Sequence, residues 1–226
     1  MSKITLIPCV DPKDPVGSAR KYNHTGADVI AYYEEKASVD TVKAIKEVID
    51  VPLYVGGGIR DLEDVKKVLY AGADKVCLGA SVLEDKDIVK KASDRFGKGQ
   101  VMVSMDLEKL EDPAAFAKEM QRLGAGELLL LAADGYDKKM EAVNAVKSQT
   151  DLPIVISVPS VEDVTAAAGE ICAESVAIHD AGDFSVLDLK KECKNKGLDV
   201  CLMESPIPFE KFKLNSDGLL PVVTQD

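Results

Sequence analysis

The chain has 226 residues, of which 39 are acidic and 28 basic, so its formal net charge is −11. This acidic balance excludes a broad nucleic-acid-binding surface, and a composition of 46% hydrophobic and 30% charged residues excludes a disordered chain. No apolar run approaches the roughly 18 residues of a membrane span. With 2 histidines, 5 cysteines and no C-x-x-C spacing, the sequence has no metal-ligand motif and suits a reducing compartment. We therefore expect a cytoplasmic globular protein without a metal, a cofactor or a membrane segment.

Short apolar runs alternate along the chain with stretches of helical period. The runs predict eight strands, at residues 4–10, 28–33, 51–55, 75–78, 100–105, 127–133, 153–157 and 175–178. A first helix capped by Asp14 is expected, and further helices are predicted at residues 61–70, 112–123, 138–147, 161–171 and 185–196. Strands that alternate with helices predict an α/β fold with a parallel sheet. Eight such units fit a closed (β/α)8 TIM barrel, and an open doubly wound sheet is the alternative.

An internal repeat favours the barrel. Residues 50–55 read DVPLYV and residues 151–156 read DLPIVI, and each stretch is followed by a turn and a helix start, LEDV or VEDV. The halves look like duplicated segments, so we predict a barrel built from two half-barrels over residues 1–203. Pro206 and Pro208 then mark a linker, and the run LNSDGLLPVVTQD looks like the start of another domain. Residues 204–226 are therefore predicted to be a linker and a truncated domain start.

The residues that follow the strands are the candidates for a functional site, because a parallel barrel carries its active site at the C-terminal strand ends. Asp11 and Asp106 follow strands one and five, across the barrel from each other, and such a pair suits acid–base chemistry. The alternative is that acidic residues after strands merely cap helices. Gly56, Gly57 and Gly58, the glycine turn, can present backbone N–H groups to an anion, although three glycines also make an ordinary tight turn.

Several other residues carry weaker signals. Arg60 follows the glycine turn and either adds charge there or is a solvated surface residue, the commoner case. His24 is expected at the surface at the end of the first helix. His179 follows strand eight, but a lone histidine without a partner is usually structural. Cys9 and Cys77 lie inside apolar runs and are expected to be buried core thiols.

Four stretches together resemble the histidine-biosynthesis barrels: IPCVDPKD, VPLYVGGGIRDLEDV, GADKVCLGASVLE and GAGELLLLAADGYD. The chain is most similar to the cyclase subunit of imidazole glycerol phosphate synthase, over residues 4–203, and the phosphoribosylformimino isomerase is the sister family. The resemblance implies that Asp11 and Asp106 are the acid and the base of a cyclase. It also implies that a third aspartate, Asp134, lies near them.

The resemblance implies one phosphate site that is partly kept and one that is more damaged. The first keeps the glycine turn, but Gly79 and Ala80 replace an Asn-Thr pair, so the side-chain donors are lost there and only backbone N–H groups can serve. At the second, Val-Pro replaces a Gly-Gly turn, and Asp180 would repel a phosphate. The long loop after strand one, which closes over the family's substrate, is missing. These departures imply weak or lost cyclase activity.

At the opposite end of the barrel, the sequence matches the family only in part. Lys75 and Glu127 match two members of the charged ring through which the family's ammonia enters, and Thr5 and Val29 take the other two positions. Because only two of the four ring positions keep the family's charged residues, a glutaminase partner is less strongly expected. The tail sequence DGLLPVVTQD resembles the opening strand of phosphoribosyl-AMP cyclohydrolase. This implies a fused parent with a cyclohydrolase domain in cis beyond Asp226, and a phosphoribosyl-ATP pyrophosphatase domain is a further candidate.

Three functions stay open at this point. The first is a barrel with weak or lost cyclase activity as the N-terminal part of the fusion, with a role in scaffolding, in oligomerisation or in binding a phosphorylated ribosyl small molecule. The second is an active cyclase, a lyase that uses Asp11 and Asp106 as acid and base. The third is an isomerase that uses the same pair on a related phosphorylated ribosyl intermediate.

Overall fold

The structure is a computed structural model that describes residues 3–35, 37–131, 140–169, 173–179 and 184–202. Its strands form one parallel 8-stranded sheet in the order β1-β8-β7-β6-β5-β4-β3-β2. They are β1 (Thr5–Pro8), β2 (Ile30–Tyr33), β3 (Leu53–Gly56), β4 (Lys75–Leu78), β5 (Val101–Asp106), β6 (Glu127–Leu131), β7 (Ile154–Val158) and β8 (Ser175–Ile178). β1 and β2 meet through a parallel bridge between Cys9 and Ala31. The sheet is therefore a nearly closed barrel, and the predicted (β/α)8 fold is confirmed.

Helices follow the strands around the barrel. Those of the described chain are α1 (Pro15–His24), α2 (Val39–Lys46), α3 (Leu62–Tyr70), α4 (Ala80–Glu84), α5 (Asp87–Phe96), α6 (Pro113–Leu123), α7 (Met140–Gln149), α8 (Val164–Gly169) and α9 (Val186–Asn195). Asp14 caps α1 as expected, and Asp61 caps α3, because their carboxylates accept hydrogen bonds from backbone N–H groups at 3.0 Å and 2.9 Å. The predicted tail, residues 204–226, lies outside the described residues, so the division near residue 203 stays a prediction.

The core has two layers because side chains alternate across each strand. One set packs between the strands and the helices. The other fills the barrel interior and consists of Ile7, Cys9, Val29, Ala31, Cys77, Met102, Leu129, Val155 and Ala177. Cys9 and Cys77 are buried thiols, as predicted. Burial raises the pKa of both thiols, that of Cys77 to about 12, so neither is an activated nucleophile.

A buried lysine ties the last described helix to the seam between β1 and β2. Lys190 of α9 is 0% exposed and donates hydrogen bonds to the carbonyl oxygen of Gly26 at 2.6 Å and to Asp28 Oδ1 at 2.8 Å. The other carboxylate oxygen of Asp28 accepts a hydrogen bond from the backbone N–H of Leu6 at 3.1 Å. A single carboxylate thus joins α9, the start of β2 and the middle of β1. This arrangement satisfies a charge that would otherwise be costly to bury.

Candidate functional site

A cavity of about 520 Å³ opens where the strands end, at the face expected for an active site. We name it the mouth cavity. Its described lining includes the residues Tyr33, Gly57, Gly58, Arg60, Cys77, Gly79, Ala80, Ser81, Ser104, Leu129 and His179. Pockets of roughly 300–1,000 Å³ are typical of small-molecule sites. The mouth cavity is therefore large enough for a ligand of nucleotide size.

The glycine turn lines the mouth cavity through two of its three residues. Gly57 and Gly58 have positive φ angles of 86° and 63°, which L side chains rarely adopt. A Cβ atom at Gly58 would collide with the carbonyl oxygen of Glu35, and one at Gly57 would lie 2.5 Å from that of Glu34. Close packing against the loop after β2 thus requires these glycines, whatever they bind. Their backbone is also at the cavity wall, where the predicted phosphate site would lie.

The wall after β4 adds an unsatisfied hydroxyl. Gly79 and Ala80, the other predicted phosphate-binding residues, both line the mouth cavity, as does Ser81. The Oγ atom of Ser81 is buried and has no hydrogen-bond partner among the residues that the structure describes. Buried polar atoms normally have partners, so this hydroxyl is an unsatisfied donor at the cavity wall.

Asp11 closes a tight turn at the start of α1. Its Oδ1 accepts a hydrogen bond from the backbone N–H of Lys13 at 2.9 Å, and its own N–H donates to Ser18 Oγ at 3.1 Å. The side chain is exposed, and it is not among the described residues that line the mouth cavity. The structure therefore gives Asp11 a local structural role, and its catalytic role stays a prediction.

Asp106 at the end of β5 is a half-buried, paired carboxylate. It forms an ion pair with Lys109 at 2.9 Å and accepts a hydrogen bond from the backbone N–H of Glu108 at 3.0 Å. Partial burial works against its ionisation, but Lys109 and the N–H groups prevail and hold the pKa of Asp106 below its usual range. A carboxylate with a lowered pKa is a weak base and is not an acid near neutral pH.

The two predicted catalytic aspartates are not brought into the mouth cavity. Asp106 lines a smaller neighbouring cavity of about 150 Å³, together with Lys109. Gly79, Ala80 and Ser104 line both cavities, so the two are adjacent. The third predicted aspartate, Asp134, lies outside the described residues, as does Asp180.

An aromatic pair forms part of the cavity wall. The rings of Tyr33 and His179 stack with their centroids 5.7 Å apart and an angle of 27° between their planes. The surrounding walls desolvate the imidazole and lower the pKa of His179 below its ordinary value of 6.5. The imidazole is therefore neutral at neutral pH, with one nitrogen that donates and one that accepts.

We expect this histidine to make stability depend on pH. Because the folded pKa of His179 lies below 6.5, the unfolded chain binds the proton first as the pH falls. The free energy of unfolding should then decrease as the pH falls through 6.5, until the folded imidazole also titrates. Urea unfolding between about pH 8 and about pH 5 should show a shallower decrease in His179→Gln than in the wild type. An unchanged slope in His179→Gln, or an equal change in the control His24→Gln, would contradict the assignment.

At the opposite end of the barrel, the two retained members of the charged ring bind each other. Lys75 Nζ lies 2.5 Å from Glu127 Oε2 and 4.6 Å from the centre of the Tyr54 ring. Burial works against the ammonium charge, but Glu127 holds the pKa of Lys75 above its usual range. Both charges are thus satisfied inside the barrel.

Within the described chain, no helix is long and apolar enough to cross a membrane. The same residues contain no group of three or more His, Cys, Asp or Glu side chains placed to hold a metal ion.

The fold and the mouth cavity define the class of protein: a (β/α)8 barrel with a cavity at its C-terminal strand ends. The profile of the family described as "Histidine biosynthesis protein" matches residues 8–181. The imidazole glycerol phosphate synthase subunit HisF of Sulfolobus acidocaldarius is 32% identical, with 87% of this chain and 91% of that protein aligned. The HisF subunit of Streptococcus mutans serotype c is 30% identical, with 88% and 100% aligned. That of Sulfurisphaera tokodaii is 32% identical, with 84% and 88% aligned. The chain therefore belongs to the histidine biosynthesis protein family.

Proposed function

We propose that this barrel binds a phosphorylated ribosyl small molecule in the mouth cavity, with weak or lost cyclase activity. One observation carries the proposal. Four of the five predicted phosphate-binding residues, Gly57, Gly58, Gly79 and Ala80, line the mouth cavity, whereas Gly56 does not. Asp11 and Asp106 are engaged locally and are not among its described lining residues. The names of the relatives, subunits of imidazole glycerol phosphate synthase, support a phosphorylated ligand for this chain.

The proposed hydrogen-bond donors for one phosphate group lie in the segments that follow β3 and β4, at one wall of the mouth cavity. Gly57 and Gly58 contribute backbone, and Arg60, two residues on, contributes an exposed guanidinium that also lines the mouth cavity. Ser81 contributes the hydroxyl without a partner. Charge-assisted hydrogen bonds from guanidinium to phosphate are among the stronger polar contacts in proteins. This wall therefore has the donors that one phosphate needs.

The same geometry explains why cyclase activity should be weak. An acid–base catalyst works best when its pKa lies near the operating pH and its proton-transfer atom reaches the substrate. The pKa of Asp106 is lowered by Lys109, and one carboxylate oxygen of Asp11 is occupied by a backbone N–H group. Loss of the second phosphate anchor and of the covering loop, inferred from the sequence, would add a loss of substrate positioning.

Calorimetry with ribose 5-phosphate tests the binding step. We expect saturable binding to the wild type, and Arg60→Gln should weaken it by about tenfold, because a hydrogen bond to a charged group contributes roughly 1.5–3 kcal/mol. Arg95→Gln is the matched control, because Arg95 lies on α5 and packs over the Phe96 ring. The proposal is contradicted if no heat is detected at millimolar ligand, or if both variants lose affinity equally.

We expect Ser81→Ala to have opposite effects on stability and on binding. Removing a buried hydroxyl without a partner should raise the free energy of unfolding by about 1 kcal/mol. It should also weaken ribose 5-phosphate binding, because a donor is lost. Ser148→Ala is the control, since the Ser148 hydroxyl already donates to Ala145 O at 2.8 Å and is exposed. A destabilised Ser81→Ala protein that binds normally would show that the hydroxyl is structural.

An active cyclase is the second candidate. It is favoured by the placement of Asp11 and Asp106 after β1 and β5, which lie four positions apart in the ring of strands. The assay supplies the ribulosyl intermediate with ammonium and follows its loss and its products. Turnover that disappears in Asp11→Asn would overturn the weak-activity proposal in favour of the lyase. Conversion to an isomer without ammonia consumption would instead support the isomerase.

We also propose, from the resemblance of the tail, that the parent protein continues into a cyclohydrolase domain in cis, with a pyrophosphatase domain as a further candidate. Sequencing the gene beyond the codon for Asp226 tests this. An open reading frame that encodes cyclohydrolase motifs supports the fusion, and an immediate stop codon contradicts it.

We also propose that a glutaminase subunit docks poorly on this barrel, because only Lys75 and Glu127 match the charged ring of the family. Co-elution of the barrel with a glutaminase subunit would contradict this proposal.

A further inference from the structure

A further cavity lies on the outer wall of the barrel, between α6 and α7. Its volume is about 700 Å³, which exceeds the volume of the mouth cavity. Its described lining comes from α6, from the end of α7 and from the loop that follows α7. We name it the α6–α7 groove. No described residue lines both this groove and the mouth cavity, so the groove is a separate surface.

The α6–α7 groove carries three basic side chains. Lys118 and Arg122 lie four residues apart on α6, so they share one face of the helix. Both are exposed, and neither side chain forms a hydrogen bond or an ion pair with another described residue. Lys147 lines the groove from α7. Two like charges at this spacing repel each other slightly, so an anion between them would stabilise the face.

Few carboxylates oppose these charges. Two acidic residues line the groove, Glu119 and Asp151. Glu119 already pairs with Lys86 at 2.6 Å, and Lys86 is not among the described lining residues. Asp151 is therefore the one lining carboxylate that no described cation neutralises. The groove is thus locally basic on a chain whose net charge is −11.

The floor of the groove is held in place by hydrogen bonds. The side-chain oxygen of Gln121 on α6 accepts hydrogen bonds from the Thr150 hydroxyl and, at 3.1 Å, from the backbone N–H of Asp151. The same hydroxyl oxygen of Thr150 accepts from the backbone N–H of Leu152 at 3.1 Å. The loop after α7 is therefore anchored to α6, and the groove is formed before any partner binds. Such preorganisation lowers the entropic cost of binding.

The groove continues into a second cavity of about 290 Å³. Lys147, Thr150 and Asp151 line both cavities, so the two are adjacent. The second cavity adds an apolar stretch and one further carboxylate, namely Leu152, Pro153, Ile154 and Glu174. Pro153 is exposed, and Leu152 and Ile154 are half-buried. A basic part is thus followed by an apolar part, and the far end bears an acidic residue.

We propose that the α6–α7 groove docks a short, extended acidic segment of a partner protein. Carboxylates of that segment bind Lys118 and Arg122, because a guanidinium matches a carboxylate with two parallel hydrogen bonds. An apolar side chain of the segment packs on Leu152 and Pro153. Glu174 repels the acidic end and so fixes the direction of the segment. The acidic remainder of the chain repels a long polyanion, which favours a short acidic segment over a nucleic acid.

Fluorescence polarisation with a labelled synthetic peptide, a run of glutamates followed by a leucine pair, tests the proposal. We expect saturable binding to the wild-type chain. Lys118→Gln combined with Arg122→Gln should weaken it by about tenfold. Lys90→Gln combined with Arg95→Gln is the matched control, because it removes the same charge from α5. There Lys90 pairs with Asp94 and Arg95 packs over a phenylalanine ring, so peptide affinity should stay the same.

A charge reversal separates recognition from a general effect of net charge. Lys118→Glu combined with Arg122→Glu should bind a peptide with lysines in place of the glutamates more tightly than the original peptide. On the wild type, a peptide with glutamines in place of the glutamates should bind about tenfold more weakly. A peptide with serines in place of the leucines should also bind more weakly. These peptide comparisons need no variant, so the proposal stays testable when a variant misfolds.

Three results would overturn the proposal. The first is the absence of saturable binding at millimolar peptide. The second is an equal loss of affinity in the two glutamine double variants, which would show that only net charge matters. The third is binding of a single-stranded oligothymidylate that depends on Lys118 and Arg122, without peptide binding, which would assign the groove to a nucleic acid.

Discussion

Asp28→Ala is expected to lower the free energy of unfolding by about 3 kcal/mol, the lower end of the range for breaking a buried ion pair. The loss is large because Lys190 is 0% exposed and would keep, among the described residues, only the carbonyl oxygen of Gly26 as a partner. The lower end applies because the Asp28 side chain is 23% exposed and water can reach the vacated space. The backbone N–H of Leu6 would also lose its acceptor. Urea unfolding monitored by circular dichroism gives the midpoint and the slope.

A second substitution tests whether the unpaired charge of Lys190 causes the loss of stability. Lys190→Met added to Asp28→Ala should recover much of the loss, because it removes the unpaired ammonium and keeps the length of the side chain. Asp188→Ala is the surface control, since Asp188 pairs with Lys191 at 3.1 Å in an exposed position, and it should change stability by less than about 1 kcal/mol. The interpretation fails when Asp28→Ala is no worse than Asp188→Ala, or when the double variant is as unstable as the single one.

Gly58→Ala should cost at least about 2 kcal/mol and should weaken ribose 5-phosphate binding. The left-handed conformation alone costs a side chain roughly 1–2 kcal/mol. At Gly58 the added Cβ also collides with the carbonyl oxygen of Glu35, so the glycine turn or the loop after β2 must move. Thermal and urea unfolding measure the stability, and calorimetry measures the binding.

Gly197→Ala provides the comparison. Gly197, just after α9, has a φ angle of 81°, and a Cβ atom there would meet no described atom within 4 Å. Its substitution should therefore cost only the backbone strain and leave ligand binding unchanged. The difference between the two variants measures how tightly the two loops pack. If both substitutions lower the free energy of unfolding equally, the loop at Glu35 moves without a measurable energetic penalty and does not constrain the glycine turn.

The strands were predictable because a strand buried on both faces reads as a short continuous apolar run. The predictions for residues 75–78 and 175–178 coincide with β4 and β8. At β1 the predicted strand, residues 4–10, is longer than Thr5–Pro8, because Ile4 and Cys9 form only isolated bridges. An apolar run indicates which residues are buried, and the buried stretch is longer than the stretch that forms regular strand hydrogen bonds.

Three helices were not predicted, and their patterns are weak. Helix α2 buries only Val42 and Ile45, and α4, with 5 residues, buries only Val82. Such short helices show too few buried positions to establish a period. Helix α5 has a clearer apolar face, but its N-cap residue, Lys86, makes no side-chain capping hydrogen bond. The start signal lies one residue earlier, at Asp85, whose carboxylate accepts a hydrogen bond from the backbone N–H of Asp87 at 2.9 Å.

The location of the site was predictable, but its composition was not. The strand-end rule placed Gly57, Gly58 and Gly79 at the mouth, where the structure has them. It could not reveal that Asp106 is paired with Lys109, because that contact depends on the turn after β5. Nor could it single out Tyr33, whose partners come from β3, β5 and the end of β8.

The bridge between Ile4 and Val200 has a consequence for engineering the barrel. The backbone N–H of Ile4 donates to the carbonyl oxygen of Asp199 at 2.7 Å, so the chain enters and leaves the wall along adjacent paths. This contact precedes β1 and therefore lies at the face away from the mouth cavity. A short peptide can join the two paths, and new termini can be opened in a surface loop. Such a circular permutant would keep the mouth free for ligands while changing the order in which the half-barrels are synthesised.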